Sequence, residues 1–345
     1  MSNPFSYTGR YRDDVKKSVQ ECAELGLTGA TVLITGATGL IGSCVADLLI
    51  ECGASVFVAG RDEHRMHVRF RDHHKFVGFV QFDAIDPRPI ERAFDYIVHC
   101  AGLAHPIAYA AEPVETILTT LRGTVALLDH VRAHGGRLIY ISSSEVYGTR
   151  LGMVPYSESD YARVDPLDSR SCYPESKRCA ENLCASYLSE YGIDFVVARP
   201  GHIYGPTITL SDSRAHAQFA KLAAAGEDIV MKSSGEQLRS YVHTIDCATA
   251  VAQIMVNGTS GEAYNVSSDQ SFVSVRQMAE AFATAGGVRI VLEKPTAREA
   301  AGYNRMSCSA LDGSRLEALG WAPSYNMLDG AKETVEVLRE MAMWG

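Results

Sequence analysis

A tyrosine and a lysine lie four residues apart in the segment YPESK, as Tyr173 and Lys177. At the start of a helix this spacing puts both side chains on one face. A tyrosine must lose its proton to act as a base near neutral pH, and a lysine cation beside it favours the phenolate. Ser143, at the end of an earlier apolar stretch, can hydrogen-bond a substrate oxygen. These residues predict proton transfer at a substrate oxygen; the alternative for Tyr173 and Lys177 is an ordinary surface pair of a helix.

The stretch ISSSEVYG, residues 141–148, places Glu145 two residues after Ser143. A glutamate in an otherwise apolar strand and turn needs a partner or a raised pKa, and either suits a catalytic acid. The alternative is that Glu145 only caps or pairs locally. The residue therefore decides whether the chemistry goes beyond the Ser–Tyr–Lys group.

The segment TGATGLIG places Gly36, Gly39 and Gly42 between a predicted strand and a predicted helix. In such a loop the first glycine permits the tight turn, the second lets a pyrophosphate approach, and the third allows close helix–strand packing. The helix N-terminus then faces the phosphates, so the spacing at this junction predicts dinucleotide binding. The predicted cofactor contacts are Gly36, Thr38, Gly39, Leu40, Ile41, Arg61, Asp83, Ala84, Ala101 and Gly102, with Tyr173 and Lys177.

The end of the second predicted strand bears on the type of nicotinamide cofactor. An acid there would hold the ribose 2′-hydroxyl, but Gly60 stands at that place and Arg61 follows. Arg61 can accept a 2′-phosphate and stack on adenine, which favours NADP. Asp62 could still reach a ribose hydroxyl, and Arg61 could be a solvated loop residue. Asp83, at the end of the third strand, is the candidate for contact with the adenine amino group.

Apolar runs alternate with helix-like segments along the first 200 residues, which indicates a parallel sheet with helices on both faces. The strongest predicted helices are 112–134 and 174–192. The sequence therefore predicts an α/β fold, a Rossmann-type doubly wound parallel sheet with a smaller C-terminal substrate lobe. The predicted strands are 32–34, 54–60, 75–83, 96–102, 136–144 and 194–201, with a late strand at RIVLEKP, 289–295.

After residue 200 prolines and polar loops become more frequent and the predicted helices become shorter, which suggests a lobe and not an independent domain. Apolar spacing in residues 11–27 suits a short amphipathic helix, for which we infer no function. We expect it to pack on the core or on a dimer partner. The predicted division is 1–28 for an N-terminal arm and helix, 29–200 with 240–267 for the NAD(P)-binding domain, and 201–239 with 268–345 for the lobe.

The bulk composition fits a soluble globular protein and argues against nucleic acid. The chain has 345 residues, of which 46% are hydrophobic and 21% charged, with a net charge of −9. The nine cysteines show no repeated spacing, so we predict reduced thiols and no metal site. The beginning of the chain lacks the apolar run of a signal peptide, and no stretch is long enough to span a membrane. We therefore expect a cytoplasmic protein.

Taken together, six motifs resemble those of the extended short-chain dehydrogenase/reductase family, which comprises nucleotide-sugar epimerases, dehydratases and decarboxylases. The motifs lie within roughly residues 30 to 323 and are TGATGLIG, VHCAG, SSSEVYG, YPESK, RPGHIYGP and LRSYVHTIDCATA. The resemblance implies an NAD(P)-binding Rossmann domain with a tightly bound and recycled cofactor. The usual cofactor of the family is NAD. It also implies a C-terminal lobe for a nucleoside-diphosphate sugar and a homodimer formed through helices 112–134 and 174–192.

Within that family, Glu145 bears on the reaction. A 4-epimerase needs only the hydride carrier and the Ser–Tyr–Lys group, whereas a dehydratase or a decarboxylase must also act after C4 becomes a ketone. The Ser144–Glu145 pair looks like that of UDP-glucuronate decarboxylases, and also like that of GDP-mannose dehydratases. The resemblance implies Ser143, Glu145, Tyr173 and Lys177 as catalytic residues.

Three further stretches are similar to the decarboxylase group and imply substrate contacts. They are HPIAYAAEPVET, SDSRAHAQF and NRMSCSALDGSRLEALGWAP. One departure is His202, which stands in RPGHIYGP where the family usually has an asparagine. Arginines suit diphosphate or carboxylate recognition because their planar fork matches both groups. The implied substrate-binding residues are Tyr109, Ser144, His202, Arg214, Arg239 and Arg305.

Three functions remain open on the sequence. The first is a UDP-hexuronate decarboxylase with a recycled cofactor. The second is a 4,6-dehydratase or an epimerase that acts on another nucleotide sugar, which His202 and Arg61 keep open. The third is a non-catalytic NAD(P)-sensing protein, although such proteins typically lose the Tyr/Lys pair that this chain keeps.

Overall fold

The computed structural model describes residues 7, 9–73, 78–104, 106–149, 152–209, 211–267, 269–294 and 307–341. Its strands are β1 (Thr31–Thr35), β2 (Ser55–Gly60), β3 (Gly78–Gln81), β4 (Tyr96–His99), β5 (Arg137–Ile141), β6 (Asp194–Pro200), β7 (His202–Tyr204), β8 (Ile229–Met231), β9 (Leu238–His243), β10 (Ala263–Val266), β11 (Phe272–Ser274), β12 (Ile290–Leu292) and β13 (Cys308–Ser309).

The helices of the same part of the chain flank these strands. They are α1 (Gly9–Ser18), α2 (Leu40–Glu51), α3 (Glu63–Phe70), α4 (Pro106–Ala111), α5 (Pro113–His134), α6 (Cys172–Tyr191), α7 (Ala215–Ala225), α8 (Thr244–Asn257), α9 (Val275–Gly286), α10 (Ser314–Glu317) and α11 (Met327–Glu340). Four 3₁₀ turns add Val19–Leu25, Ser144–Tyr147, Ser169–Ser171 and Asp269–Ser271.

Seven parallel strands form the central sheet in the order β10-β6-β5-β4-β1-β2-β3. The chain runs outward from β1 to β3 and then returns to β4 on the other side of β1. The carboxyl ends of β1 and β4, where Thr35 pairs with His99, thus form a topological switch point. Ligands of open α/β sheets bind at such a point. The doubly wound Rossmann-type sheet that the sequence predicts is confirmed.

Both faces of the sheet are buried, because alternate residues of each strand face different cores. In β1, Val32 and Ile34 lie in the core that contains α2 and α8, whereas Leu33 lies in the core that contains α5 and α6. Covering both faces leaves the edge at the strand ends as the part of the sheet where polar side chains can gather.

The C-terminal part of the chain adds two small sheets beside the central one. β9 pairs with β7, β11 and β13, and β8 pairs with β12. Helices α7, α9 and α11 pack on one another, and α7 and α9 also pack on these strands. In contrast, α8 packs on α2 and β10 pairs with β6, so these two elements lie with the parallel sheet.

The predicted N-terminal helix 11–27 is wrong in its extent, because the α-helix ends at Ser18 and a 3₁₀ turn follows. Gly26, with a φ of 63°, ends that turn. The segment packs on the core: the Tyr11 hydroxyl donates to Asp47 at 2.8 Å. The predicted strands at 96–102 and 136–144 are shorter in the structure, where β4 and β5 give way to the loops of the site. Within the described ranges, no helix is long and apolar enough to cross a membrane.

Candidate active site

The glycine loop is pressed against the end of β4. Gly36 has a φ of 67°, and a Cβ there would lie 2.8 Å from the Ala101 nitrogen. A Cβ on Gly42, in the first turn of α2, would lie 2.5 Å from the Gly36 carbonyl oxygen. Gly39 directly precedes α2 with extended backbone. Side chains are therefore excluded at Gly36 and Gly42, and Gly39 has no side chain that could cap the N-terminus of α2 at the switch point.

The other predicted cofactor contacts lie around this loop. Thr38, Leu40 and Ile41 belong to the loop or the first turn of α2. Ala101 and Gly102, which follow β4, lie at the same edge of the sheet as the loop. There the Ala101 nitrogen donates to the Thr35 hydroxyl at 3.2 Å, and a Cβ on Gly102 would meet no atom within 4 Å.

The residues expected near the adenosine end have different local roles. Arg61 is exposed after β2, whereas Asp62 caps α3 by accepting from the Arg65 nitrogen at 2.9 Å. The Asp83 carboxylate accepts from the Ile85 nitrogen at 3.0 Å, and Ala84 is buried. Because this cap engages one carboxylate oxygen of Asp62, Arg61 is the more available of the two residues for contact with a cofactor.

Tyr173 and Lys177 lie in the first turns of α6 with little exposed surface, 8% and 6%. Burial lowers the pKa of Lys177 to about 8. Burial also raises the pKa of Tyr173 to about 12, and the Glu145 carboxylate acts in the same direction. The Ser143 hydroxyl, Arg214 and Arg170 oppose that rise in the pKa of Tyr173. Burial therefore disfavours the phenolate of Tyr173, whereas Ser143, Arg214 and Arg170 favour it.

Lys177 lies beside Tyr173 on α6, but its ammonium is held by the end of β5 and not by the tyrosine. The Lys177 ammonium donates to the Ile141 carbonyl at 2.7 Å, at the end of β5. It lies 4.8 Å from the ring centroid of Tyr140 and 6.0 Å from that of Tyr173. The hydrogen bond to the Ile141 carbonyl keeps the ammonium at the end of β5. Ser143, and not Lys177, is among the groups that lower the pKa of Tyr173.

The segment after β5 turns sharply and presents Glu145. The Ser143 hydroxyl accepts from the Glu145 nitrogen at 3.2 Å and begins the 3₁₀ turn Ser144–Tyr147, in which Ser144 is buried. The Tyr147 hydroxyl, farther along this turn, donates to the Asn265 side chain at 2.6 Å. The turn is thus fixed to β10, and the position of Glu145 is set by the scaffold.

Arg170, which the sequence analysis missed, is the partner of Glu145. Its two terminal nitrogens donate to the two carboxylate oxygens, each at 3.0 Å. The guanidinium also lies over the ring of Tyr109, 4.5 Å from its centroid, and Tyr109 stacks on Tyr173 with centroids 5.3 Å apart. The predicted substrate residue Tyr109 therefore links the pair to the proposed base. The feature of the sequence that could have pointed to Arg170 is its position three residues before Tyr173.

The remaining predicted substrate residues come from the C-terminal elements. Arg214 precedes α7 and forms a forked ion pair with Asp212, whose pKa it lowers against the effect of burial. Arg239, on β9, is buried and donates to the Leu238 carbonyl at 2.8 Å. Arg305 lies outside the described residues.

Two histidines share this region. Burial and the neighbouring Arg239 lower the pKa of His202 to about 3, and burial with Arg214 does the same for His216. Both rings are therefore neutral. His202 Nδ1 and His216 Nε2 are buried and meet no hydrogen-bonding partner among the described residues. His216 is a second residue that the sequence analysis missed.

The chain is similar to a known protein family and to characterised relatives. The model of the NAD dependent epimerase/dehydratase family matches residues 32–267. UDP-glucuronic acid decarboxylase 1 of Xenopus tropicalis is 30% identical over 316 residues, which is 90% of this chain and 72% of the relative.

Two solved structures have the same fold. UDP-glucose 4-epimerase of Thermus thermophilus, in complex with NAD, is 25% identical with a TM-score of 0.73, over 90% of this chain and 99% of that one. The dTDP-glucose 4,6-dehydratase of Streptomyces venezuelae, also with NAD, is 25% identical with a TM-score of 0.73, over 90% of this chain and 97% of that one.

Proposed function

The chain belongs to the NAD dependent epimerase/dehydratase family, and we propose that it decarboxylates a UDP-hexuronate after transient oxidation at C4. The members of this family that it resembles modify nucleotide sugars. One of its relatives is named as a UDP-glucuronic acid decarboxylase. The proposal extends that activity to this chain.

The observation that carries the proposal is Glu145, held by Arg170, close enough to Tyr173 to raise the pKa of that phenol. Hydride transfer and proton transfer at C4 require no carboxylate. A cationic side chain next to that carboxylate, with Arg214 and Arg239 acting on the same groups, suits a substrate with several negative charges. A UDP-hexuronate carries both a diphosphate and a sugar carboxylate.

The residues fit an NAD(P) cofactor, because the loop excludes side chains at Gly36 and Gly42 and leaves the N-terminus of α2 without a side-chain cap. When bound, NAD or NADP would accept a hydride from C4 and later return it. Lys177 of α6, whose ammonium lies at the end of β5, would hold the nicotinamide ribose. Exposed Arg61 favours NADP, whereas the two solved relatives contain NAD, so both cofactors belong in the test.

The protein residues manage the proton and the oxygen at C4. Tyr173, as phenolate, takes the proton of the C4 hydroxyl while Ser143 hydrogen-bonds the same oxygen. The resulting C4 ketone makes the C6 carboxylate a β-keto acid. The C5–C6 bond then breaks, CO₂ leaves, and the bonding electrons move onto the C4 oxygen, which Ser143 and Tyr173 stabilise by hydrogen bonds. Glu145 positions the acid or manages the proton at C5.

The C-terminal residues would hold the rest of the substrate. We place the diphosphate against Arg214 and Arg239, and neutral His202 against the sugar or the diphosphate. Arg305 is retained as a substrate residue from the family resemblance alone.

A 4,6-dehydratase or an epimerase is the second candidate, and His202 is the observation that favours it. The ring replaces the usual asparagine of the family, and its buried Nδ1 meets no partner among the described residues. A histidine in place of this asparagine would suit a different sugar, or a sugar bound in a different orientation. A non-catalytic NAD(P)-sensing role is the least favoured, because Tyr173 and Lys177 are both present in the site.

We also propose that the protein is a cytoplasmic homodimer formed through α5 and α6. These two helices pack side by side, and α5 exposes Val114 and Ile117, with 60% and 36% of their surfaces accessible. Light scattering of the purified protein tests the dimer, which should have twice the mass of the 37.5 kDa chain.

The experiment that tests the function is mass spectrometry of products in deuterated water. The purified protein is incubated with a panel of nucleotide sugars that includes UDP-glucuronate. We expect loss of CO₂ from UDP-glucuronate only. Loss of water from another sugar would favour the dehydratase, and deuterium uptake or a changed retention without CO₂ loss would favour an epimerase.

A further inference from the structure

Arg170 is partly exposed and forms an ion pair with Glu145. The side chain of Arg170 is 37% exposed and that of Glu145 is 26% exposed, so the pair faces open space at the edge of the buried Tyr173. Asp168 fixes the turn that carries Arg170 by accepting from its backbone nitrogen at 2.9 Å. The ring of Tyr109 supports the guanidinium from below. Arg170 is therefore oriented before any ligand arrives.

The pair with Glu145 leaves part of the guanidinium unused. An arginine has five N–H donors, and the two bonds to Glu145 use two of them, which leaves three. Those three meet no acceptor within the described part of the chain. Burial opposes the charge on Arg170, but the bonds to Glu145 raise the pKa of Arg170 overall, so the cation persists. A second anion can thus join the guanidinium without displacing Glu145.

The other arginines of the site are less suited to this role. The Nε and Nη2 atoms of Arg214 already donate to the Asp212 carboxylate. Arg239 is buried, and burial lowers its pKa. Of the three, Arg170 combines exposure with a direct bond to Glu145 and contact with the aromatic stack that leads to Tyr173.

We propose that Arg170 binds the C6 carboxylate of the sugar with its remaining N–H donors and thereby selects acid sugars over neutral ones. The inference rests on the proposed function, since it gives that function a residue that recognises its substrate class. Glu145 keeps its place on the same guanidinium, so the two carboxylates share one cation. Removing Arg170 leaves an anion facing an anion, whereas removing the charge of Glu145 leaves Arg170 more available.

The test measures the affinity of UDP-glucuronate and UDP-glucose for the holoenzyme by calorimetry. A Tyr173→Phe background prevents turnover of either ligand. We expect Arg170→Gln to weaken UDP-glucuronate about 10- to 100-fold, as for a lost hydrogen bond between charged groups, and to change UDP-glucose by less than about threefold. Glu145→Gln should leave UDP-glucuronate as tight as before or tighter.

The opposite signs of the two variants separate recognition from a structural role. A pair that only held the fold together would respond alike to either substitution and would weaken both ligands equally, which would overturn the proposal. Equal affinity of the parent protein for the two sugars would overturn it as well. Arg170→Lys, which keeps the charge and loses the fork, should recover part of the preference. Because no turnover is measured, a selective protein that releases no CO₂ would refute the proposed function and leave this inference standing.

Discussion

On the cofactor side of the site, Tyr173 and Lys177 are buried and the glycine loop excludes side chains, whereas on the substrate side Glu145 and Arg170 are partly exposed and paired. The first side is built from strand ends and helix starts. The second is built from turns and from elements distant in sequence. Burial sets the protonation of the first side, and ion pairing sets the charge distribution of the second. We infer that the cofactor side supplies the shared chemistry and the substrate side supplies the choice of substrate.

The largest expected effect is on the cofactor side. Tyr173→Phe should reduce kcat by about 10²- to 10⁴-fold, because it removes the group that takes the C4 proton. Tyr140→Phe is a matched control, since the ring of Tyr140 lies near Lys177 and its buried hydroxyl meets no partner among the described residues. Steady-state rates of both variants provide the measurement. Equal losses in the two variants would mean that tyrosine burial, not proton transfer, matters.

Lys177 offers a test through stability. Its pKa of about 8 in the folded protein lies below the ordinary 10.5, so between these values the folded chain binds fewer protons than the unfolded chain. Lys177 therefore destabilises the fold below about pH 8, and this effect fades as pH rises toward 10.5. Lys177→Met should raise the thermal midpoint by a few degrees at pH 7 and by less at pH 10, while activity falls. A midpoint gain independent of pH would contradict this account of the buried cation.

Arg61 tests whether an exposed residue sets a preference on the cofactor side. Arg61→Ala should weaken NADP about tenfold, through loss of a charged hydrogen bond to the 2′-phosphate, and leave NAD almost unchanged. Fluorescence titration of both dinucleotides provides the affinities. Arg65→Ala, at an exposed arginine within α3, is the control. Equal weakening of NAD and NADP would remove Arg61 from cofactor discrimination.

The smallest effect is expected at His202. Its pKa of about 3 keeps the ring neutral at pH 5.5 and at pH 8. His202→Asn should therefore change the KM for UDP-glucuronate by about threefold, the scale of one neutral hydrogen bond, and by the same factor at both pH values. A ratio that changes between the two pH values would show that His202 titrates in this range.

The same comparison explains what could be predicted from the sequence. The parallel sheet, the glycine loop and the Tyr173–Lys177 spacing follow from local pattern, since strand and helix periods fix which residues share an edge or a face. Arg170 and His216 were missed because their roles depend on tertiary contacts. The hydrogen bond from the Lys177 ammonium to the Ile141 carbonyl, which is distant in sequence, could not be predicted for the same reason. The extent of the N-terminal helix was wrong because the apolar pattern does not distinguish an α-helix from a 3₁₀ continuation.

The central claim is that Glu145 with Arg170 takes the chemistry beyond hydride transfer. The most direct test follows release of CO₂ from UDP-glucuronate labelled at C6, together with the absorbance of the reduced cofactor, in the wild type and in Glu145→Gln. We predict rapid release by the wild type, and in the variant a rise in reduced cofactor with CO₂ release slowed about 100-fold, as for loss of an acid–base group. Unchanged CO₂ release in Glu145→Gln, or none from the wild type, would contradict the account.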